Sequence, residues 1–365
     1  MTAQQPELAV GATAKGLRFA ALEVPQFRIY WLAGALSITG DGMENVIRNW
    51  LVWELTHSPL WLGMMVFAHW VPFTFFSLYG GVLADRYDNR KVQLVAQVIL
   101  LAAALGVAAA TLAALPHLEF WIFGLLLVHG FAGAIGNPAQ QTLINDLVGR
   151  DRLLSAISLN SSMRQVAQVV GPLIAGWFLV ALGPGWGFFA NGLTFVPLLV
   201  VLMLIRPGHR AAGSRLSLST GDSLREGFAF VRAHPTIGAL IVVEMVPVVF
   251  LGHALSSLVP AIATDVLHVG SQGYVVLLAV GATGVVTQAL TNTAIQLAAP
   301  DRLRGRVMGA YSFGTQGVRV LNGPILGGAA QLLANVPLAI AAASLAVIAL
   351  LAAIAARVPG LRSLR

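Results

Sequence analysis

The 365-residue chain contains no cysteine. Disulfides, cysteine-ligated zinc, iron–sulfur clusters and thiol catalysis are therefore excluded. Charge is also scarce: Asp, Glu, Lys and Arg make up 10% of the residues, against roughly 25% in soluble domains. A soluble protein so poor in charge could not cover its surface with polar groups. With 57% hydrophobic residues, the missing polar surface implies contact with lipid. Enzyme signatures are lacking too. There is no phosphate-binding loop, no His-Glu-x-x-His, no Gly-x-Ser-x-Gly and no Gly-x-Gly-x-x-Gly after a strand. Neither an enzyme nor a cofactor nor a metal site is expected, and any energy source must be an ion gradient or the substrate gradient itself. Residues 1–26 are polar and mixed, and no cleavable signal peptide is read there.

What is present is a series of long apolar runs. Glycine (38) and proline (17) are frequent, yet the runs continue through them, which membrane helices tolerate. A spanning helix needs roughly 20 mainly apolar residues. Uncharged stretches cover 55–84, 92–118, 120–145, 165–205, 245–264, 266–300 and 320–356. Adding the helices that carry charge predicts an all-α membrane protein with ten spans: 27–55, 59–84, 91–115, 119–146, 153–182, 186–206, 236–264, 272–298, 304–333 and 336–357.

Orientation follows from Lys and Arg placement. The loops at one end carry all of the 22 basic residues except Arg48, Arg164 and Arg319. The opposite turns, around His57, Pro116-His117, Gly183-Pro184-Gly185, His268 and Asn335, carry none. Both termini are therefore expected in the cytoplasm, with the chain in the cell (inner) membrane. The net charge of +7 reflects topology and contact with anionic headgroups, not nucleic acid.

The main break is the polar stretch 207–235, whose second part reads as an amphipathic surface helix with Leu224, Phe228 and Val231 on one face. It divides the chain into a six-helix bundle (1–206), a linker (207–235) and a second bundle of about four helices (236–365). An internal repeat spans the break. Gly171-Pro172 follows Asp151-Arg152-Leu153, and Gly323-Pro324 follows Asp301-Arg302-Leu303 at nearly the same spacing. Repeated halves are a transporter feature. These Gly-Pro pairs are read as sites of bending and close helix packing.

Between the second and third spans lies Gly81-Val-Leu-Ala-Asp85-Arg86-Tyr-Asp-Asn-Arg90-Lys91. Asp85 ends an apolar helix and can pair with Arg86 or Arg90, and Gly81 permits a close helix approach. Such a cluster can latch two bundles in one state. This loop resembles the signature of the major facilitator superfamily. Ile38-Thr-Gly-Asp41-Gly-Met43, Trp50-Leu-Val-Trp-Glu54, Asn160-Ser161-Ser162, Arg225-Glu226-Gly227-Phe228 and Leu303-Arg304-Gly305-Arg306 are similar to its enterobactin-exporter-like, or transmembrane secretion effector, branch. The resemblance implies a two-bundle fold, alternating access and export. It also implies twelve helices, so that about two are missing from the second half (6 + 4).

Charges at bilayer depth cost several kcal/mol and usually face a cavity or a partner. Asp41, Glu44 and Arg48 lie in the first span, with Glu44 and Arg48 at the favoured i, i+4 spacing. Arg164, Glu244 and Arg319 lie in the fifth, seventh and ninth. Asp41, Glu44 and Glu244 are the candidate proton-coupling acids, the alternative for the first two being a static ion pair. Asn45, Arg48, Asn137, Gln141, Arg164, Gln168, His253, Arg319 and Asn322 are candidate cavity or substrate contacts. His69 and His129 read as lone structural histidines. The expected function is a proton-coupled exporter of a small amphipathic molecule such as a drug-like compound or siderophore. The expected partners are that substrate, protons and membrane lipid, and the expected state is a monomer. A lipid or lysolipid translocator, or an inactive shortened homologue, is the alternative.

Overall fold

The computed structural model describes residues 19–149, 151–205, 232, 235–281 and 319–357. The expected linker helix, most of the eighth span and the Asp301-Arg302-Leu303 mark lie outside these residues. The described residues are helical throughout, without strands.

A short 3-10 turn, Ala20–Glu23, leads into six long helices: α1 (Pro25–Thr56), α2 (Pro59–Arg86), α3 (Asn89–Leu112), α4 (Leu118–Val148), α5 (Leu153–Ala181) and α6 (Pro184–Leu204). At 1.5 Å per residue, even the 21 residues of α6 reach across roughly 30 Å of hydrocarbon. Five segments are long and apolar enough to cross a membrane: Pro59–Ser77, α3, α4, α5 and α6. The 32-residue α1 is equally long, but carries Asp41, Glu44, Arg48 and Glu54.

Local chemistry sets the helix starts. Ser58 accepts a hydrogen bond from the Trp61 amide, with Pro59 in the first turn of α2. Asp88 accepts from the Arg90 amide at 3.0 Å and starts α3. Gly183, at φ 85°, turns the chain into Pro184 and α6.

The helices α2 and α4 pack together, α3 packs on α4 and α6, and α1 packs on α5 and α6. Lipid does not drive apolar faces together, so close approach of small residues does much of this work. A Cβ on Gly171 would lie 2.9 Å from the Gly42 carbonyl carbon and the Met43 nitrogen. The backbones of α1 and α5 therefore meet there. Large apolar side chains such as Phe75, Trp121, Trp177, Leu193 and Leu345 are exposed and form the lipid-facing surface.

The second half is described in pieces: α7 (Pro235–Phe250), α8 (Gly252–Ser257), α9 (Val259–Ala261), a π turn Ile262–Val266, α10 (Ser271–Gly281), a helix over residues 319–332 (α11) and α12 (Val336–Arg357). The seventh span is thus not the continuous helix expected over 236–264. It breaks at Leu251 and again at Leu258, near Gly252 and Pro260. At the first break the Val248 carbonyl accepts a hydrogen bond from Asn322 Nδ2 at 2.8 Å. A side chain from α11 thereby satisfies backbone that hydrocarbon would leave bare.

Candidate functional site

The interior of α1 carries a buried polar cluster. Glu44 and Arg48 are 4% and 6% exposed, and Arg48 Nη1 donates to Glu44 Oε1 at 3.1 Å. The pair anticipated from i, i+4 spacing is formed. Asn191 on α6, fully buried, donates through Nδ2 to Glu44 Oε2. Thr194 donates to the Asn191 carbonyl at 2.7 Å and to its Oδ1 at 3.3 Å. Both Glu44 oxygens therefore have donors. On the same helix, Asn49 Nδ2 donates to Asn45 Oδ1 at 3.2 Å, and Asn45 itself is exposed.

Asp41 lies one turn earlier. Its Oδ1 is buried and accepts no hydrogen bond among the described residues. His129 of α4 comes to the same place: single oxygens of Asp41 and Glu44 and a ring nitrogen of His129 lie within 4.8 Å of one another. Glu44, Arg48 and His129 also line a small cavity otherwise walled by Ala103, Ala104, Val107, Ile122, Leu125 and Leu126. Three titratable groups from two helices thus share one apolar enclosure.

A second polar wall lies toward the basic end. Arg164 Nη2 is 3.4 Å from Gln140 Oε1, and Tyr30 Oη donates to Gln93 Oε1 at 2.9 Å. Arg164, Gln141 and Gln168 are exposed, and Asn137 is half-buried. Arg164 is near enough to Tyr30 and Asp41 to act on both electrostatically. These residues form a wall, whereas Asn322 is fully buried and belongs to helix packing.

The two halves meet at the end remote from the basic loops. Trp53 Nε1 donates to Thr264 at 2.8 Å, and Ser58 Oγ donates to Gln331 at 3.0 Å. Tyr274 stacks on Trp50 with centroids 5.5 Å apart, and its hydroxyl donates to the Val46 carbonyl at 3.2 Å. A Cβ on Gly63 would lie 2.7 Å from the Gly323 carbonyl carbon and 3.3 Å from Gly327 Cα, and would come closer still to the Gly323 oxygen. One apolar cluster joins Ile47, Leu62 and Phe188 to Leu258, Tyr274 and Leu326. At the basic end a separate cluster joins Phe27, Leu143, Leu198 and Leu202, all from the first six helices. Deeper in the membrane Arg319 stands 4.7 Å above the Trp70 ring, a cation–π contact across the halves.

In the first turn of α3, Arg90 Nε donates to the Leu202 carbonyl and Nη2 to the Met203 carbonyl at 2.6 Å. It therefore caps the C-terminal end of α6, where cations are favoured. Arg86 and Lys91 are exposed. Gly80, not Gly81, makes the close approach to α4: a Cβ added on Gly80 would lie 3.0 Å from Ile135 Cα, whereas one on Gly81 would meet nothing within 4 Å. Pro172 is buried beside Gly171, and Pro324 follows Gly323 on the face against α2. The side chains of Asp85, Glu244 and His253 lie outside the described residues.

Sequence reasoning missed Asn191 as the second partner of Glu44. An amide in the very apolar α6 was the available signal, since such residues usually hydrogen-bond across helices. It also read His129 as isolated, and no sequence signal tied that histidine to Asp41 and Glu44.

Residues 17–286 match the transmembrane secretion effector family. The chain is 31% identical over 220 residues to the enterobactin exporter EntS of Shigella flexneri, an alignment covering 60% of this chain and 52% of that one. It is 30% identical over 244 residues to EntS of Escherichia coli O1:K1, covering 66% and 57%. The chain thus spans little more than half the length of these curated relatives. Among solved structures, the nucleoside transporter NupG matches with a TM-score of 0.66 at 10% identity, over 90% of this chain and 99% of that one. A D-xylose–proton symporter matches with a TM-score of 0.55 at 12% identity, over 86% and 88%. At such identities the likeness concerns the fold alone. Apolar helices of membrane-crossing length, the family match and the shared two-bundle fold lead to one conclusion: the chain is a multi-pass membrane protein of the transmembrane secretion effector family, within the major facilitator superfamily.

Proposed function

We propose that the chain is a secondary-active exporter of a small amphipathic molecule, working by alternating access and driven by protons. Residues 1–206 and 236–365 act as two bundles joined by 207–235. The protein works as a monomer in the inner membrane, with both termini cytoplasmic, and performs no enzymatic chemistry. The observation that carries this reading is the polar cluster of α1. Asp41, Glu44 and Arg48 sit at membrane depth in a helix that also faces the second half through Trp50 and Trp53. Burying charge there costs several kcal/mol, an expense without purpose in a passive scaffold. The wall carrying Asn137, Gln141, Arg164 and Gln168 would receive the substrate from the basic, cytoplasmic side, with the exposed Asn45 of α1 as a further contact.

Contacts between the halves at the opposite end support a closed external gate. Substrate released outward must pass between α1–α2 and α10–α11, so the Trp50–Tyr274 stack, the Ser58–Gln331 bond and the Gly63–Gly323 seam must open. The similarity to enterobactin exporters favours a siderophore-like substrate, and enterobactin is the first probe to use.

The test is transport by the purified chain in liposomes. Labelled iron-free enterobactin should accumulate when a pH gradient is imposed, and Asp41→Asn should abolish that accumulation while leaving a folded, monodisperse protein. Proton-driven accumulation unchanged in Asp41→Asn would reject the coupling role. Failure of the unaltered chain to move the probe, with or without a gradient, would favour an inactive homologue.

A further inference from the structure

Two members of the central cluster, Glu44 and Arg48, have clear partners, and Asp41 and His129 do not share in them. Glu44 Oε1 is bound by Arg48 at 3.1 Å and Oε2 by Asn191. A metal ion entering between Asp41, Glu44 and His129 would have to displace those donors and then sit beside a guanidinium. The same geometry suits a proton. Asp41 Oδ1 is buried and unpaired among the described residues, and a His129 ring nitrogen lies within 4.8 Å of an Asp41 oxygen. One water, or a side-chain rotation, closes that distance. The charge count agrees. Asp41 and Glu44 contribute two negative charges, Arg48 one positive, and neutral His129 none. A single added proton cancels this excess among the four clustered groups, with Arg164 as the next positive charge acting on Asp41, in a region where net charge is costly.

The groups facing His129 are few. From α1 come Asp41, Glu44 and Arg48, and the last two are the charges that act on its ring. From α2 comes His69, with ring centroids 5.5 Å apart and a 40° tilt. From α3 come Ala103, Ala104 and Val107, which are apolar. Arg164 of α5 also acts on Asp41 and stands near Gln140.

We propose that His129 and Asp41 together hold the coupled proton, exchanging it between the carboxyl oxygen and the imidazole nitrogen while Arg48 stays on Glu44. In the exchange the O–H bond of the Asp41 carboxyl breaks as an N–H bond forms on His129. Carboxylate and imidazolium result, and the reverse step restores the neutral pair. No other reactant is needed. An imidazole suits this task because its ordinary affinity for protons lies near neutral pH. This inference rests on the transporter reading above and adds to it a residue outside the acids already proposed.

The experiment compares two activities of the full chain in liposomes, using labelled iron-free enterobactin. Exchange of internal for external probe requires substrate movement but no net proton flow. Accumulation driven by a pH gradient requires both. His129→Gln, and separately His129→Asn, should retain exchange within about twofold and lose gradient-driven accumulation at least tenfold. The pH profile of the residual accumulation should flatten. His69→Gln, which alters the neighbouring ring of the stack, should retain both activities and the unaltered profile. Accumulation and pH profile unchanged in both His129 variants would overturn the proposal and leave the transporter reading intact. Parallel loss of exchange and accumulation in both variants would assign His129 to packing and also overturn it. If the unaltered chain exchanges no probe, the transporter reading fails first, and the proposal with it.

Discussion

Replacing Gly63 by alanine tests the external gate with a single methyl group. The added Cβ would stand 2.7 Å from the Gly323 carbonyl carbon and 3.3 Å from Gly327 Cα. Ordinary carbon–carbon contact is 3.5–4.0 Å. The obstructing atoms are backbone, so no rotamer change relieves the clash. The helices α2 and α11 must separate by about 1 Å, losing contacts along the seam. Overpacking of this kind costs about 1–3 kcal/mol, which corresponds to about a 5- to 150-fold shift in the closed-to-open ratio. The absence of cysteine makes the assay clean. Ser58 and Gln331, hydrogen-bonded at 3.0 Å across the gate, are changed to cysteine as the only thiols in the chain. Cross-linking by a short bifunctional reagent should be fast in the otherwise unaltered protein. It should slow by at least fivefold when Gly63→Ala is added, with access of an impermeant thiol reagent rising in step. Equal cross-linking rates in the two proteins, both folded, would refute the claim that the Gly63–Gly323 seam holds the gate closed.

Further outcomes follow from the buried contacts. Arg48→Met strips Glu44 of its guanidinium and should lower stability in detergent by about 3–5 kcal/mol. Combining it with Glu44→Gln should recover most of that loss, as a double-mutant cycle would report. Arg90→Ala removes two charge-assisted bonds to the last carbonyls of α6 and should cost about 1–3 kcal/mol, seen as a lower melting temperature. Asn322→Leu leaves the Val248 carbonyl without its α11 donor. It should cost about 1–2 kcal/mol and increase hydrogen exchange around Leu251.

The first bundle was largely legible in the sequence. Each of its twelve helix ends, read from charged loops and turn residues, falls within three residues of its observed place. The reason is physical: hydrocarbon thickness sets helix length, and Ser58, Asp88 and Gly183 mark the starts. The seventh span was less legible. Its hydropathy is continuous, and the partner that satisfies the backbone at the Leu251 break is Asn322, a residue far away in the chain. Partnerships across helices were hidden for the same reason. The Glu44–Arg48 pair lies within one helix and its spacing discloses it. The Glu44–Asn191 bond and the approach of His129 to Asp41 depend on how α4 and α6 are rotated against α1, which one sequence does not encode visibly. The two Gly-Pro marks illustrate the point. They look alike, yet Gly171 packs against Gly42 inside the first bundle, whereas Gly323 packs against Gly63 across the halves.

The most direct measurement is of protons themselves. Liposomes carrying the purified chain and a trapped pH-sensitive dye are given a pulse of iron-free enterobactin from outside. Antiport predicts that the lumen turns alkaline as the probe enters and protons leave, and that Asp41→Asn removes this signal. Probe entry at an unchanged rate, with no movement of lumen pH, would contradict the account.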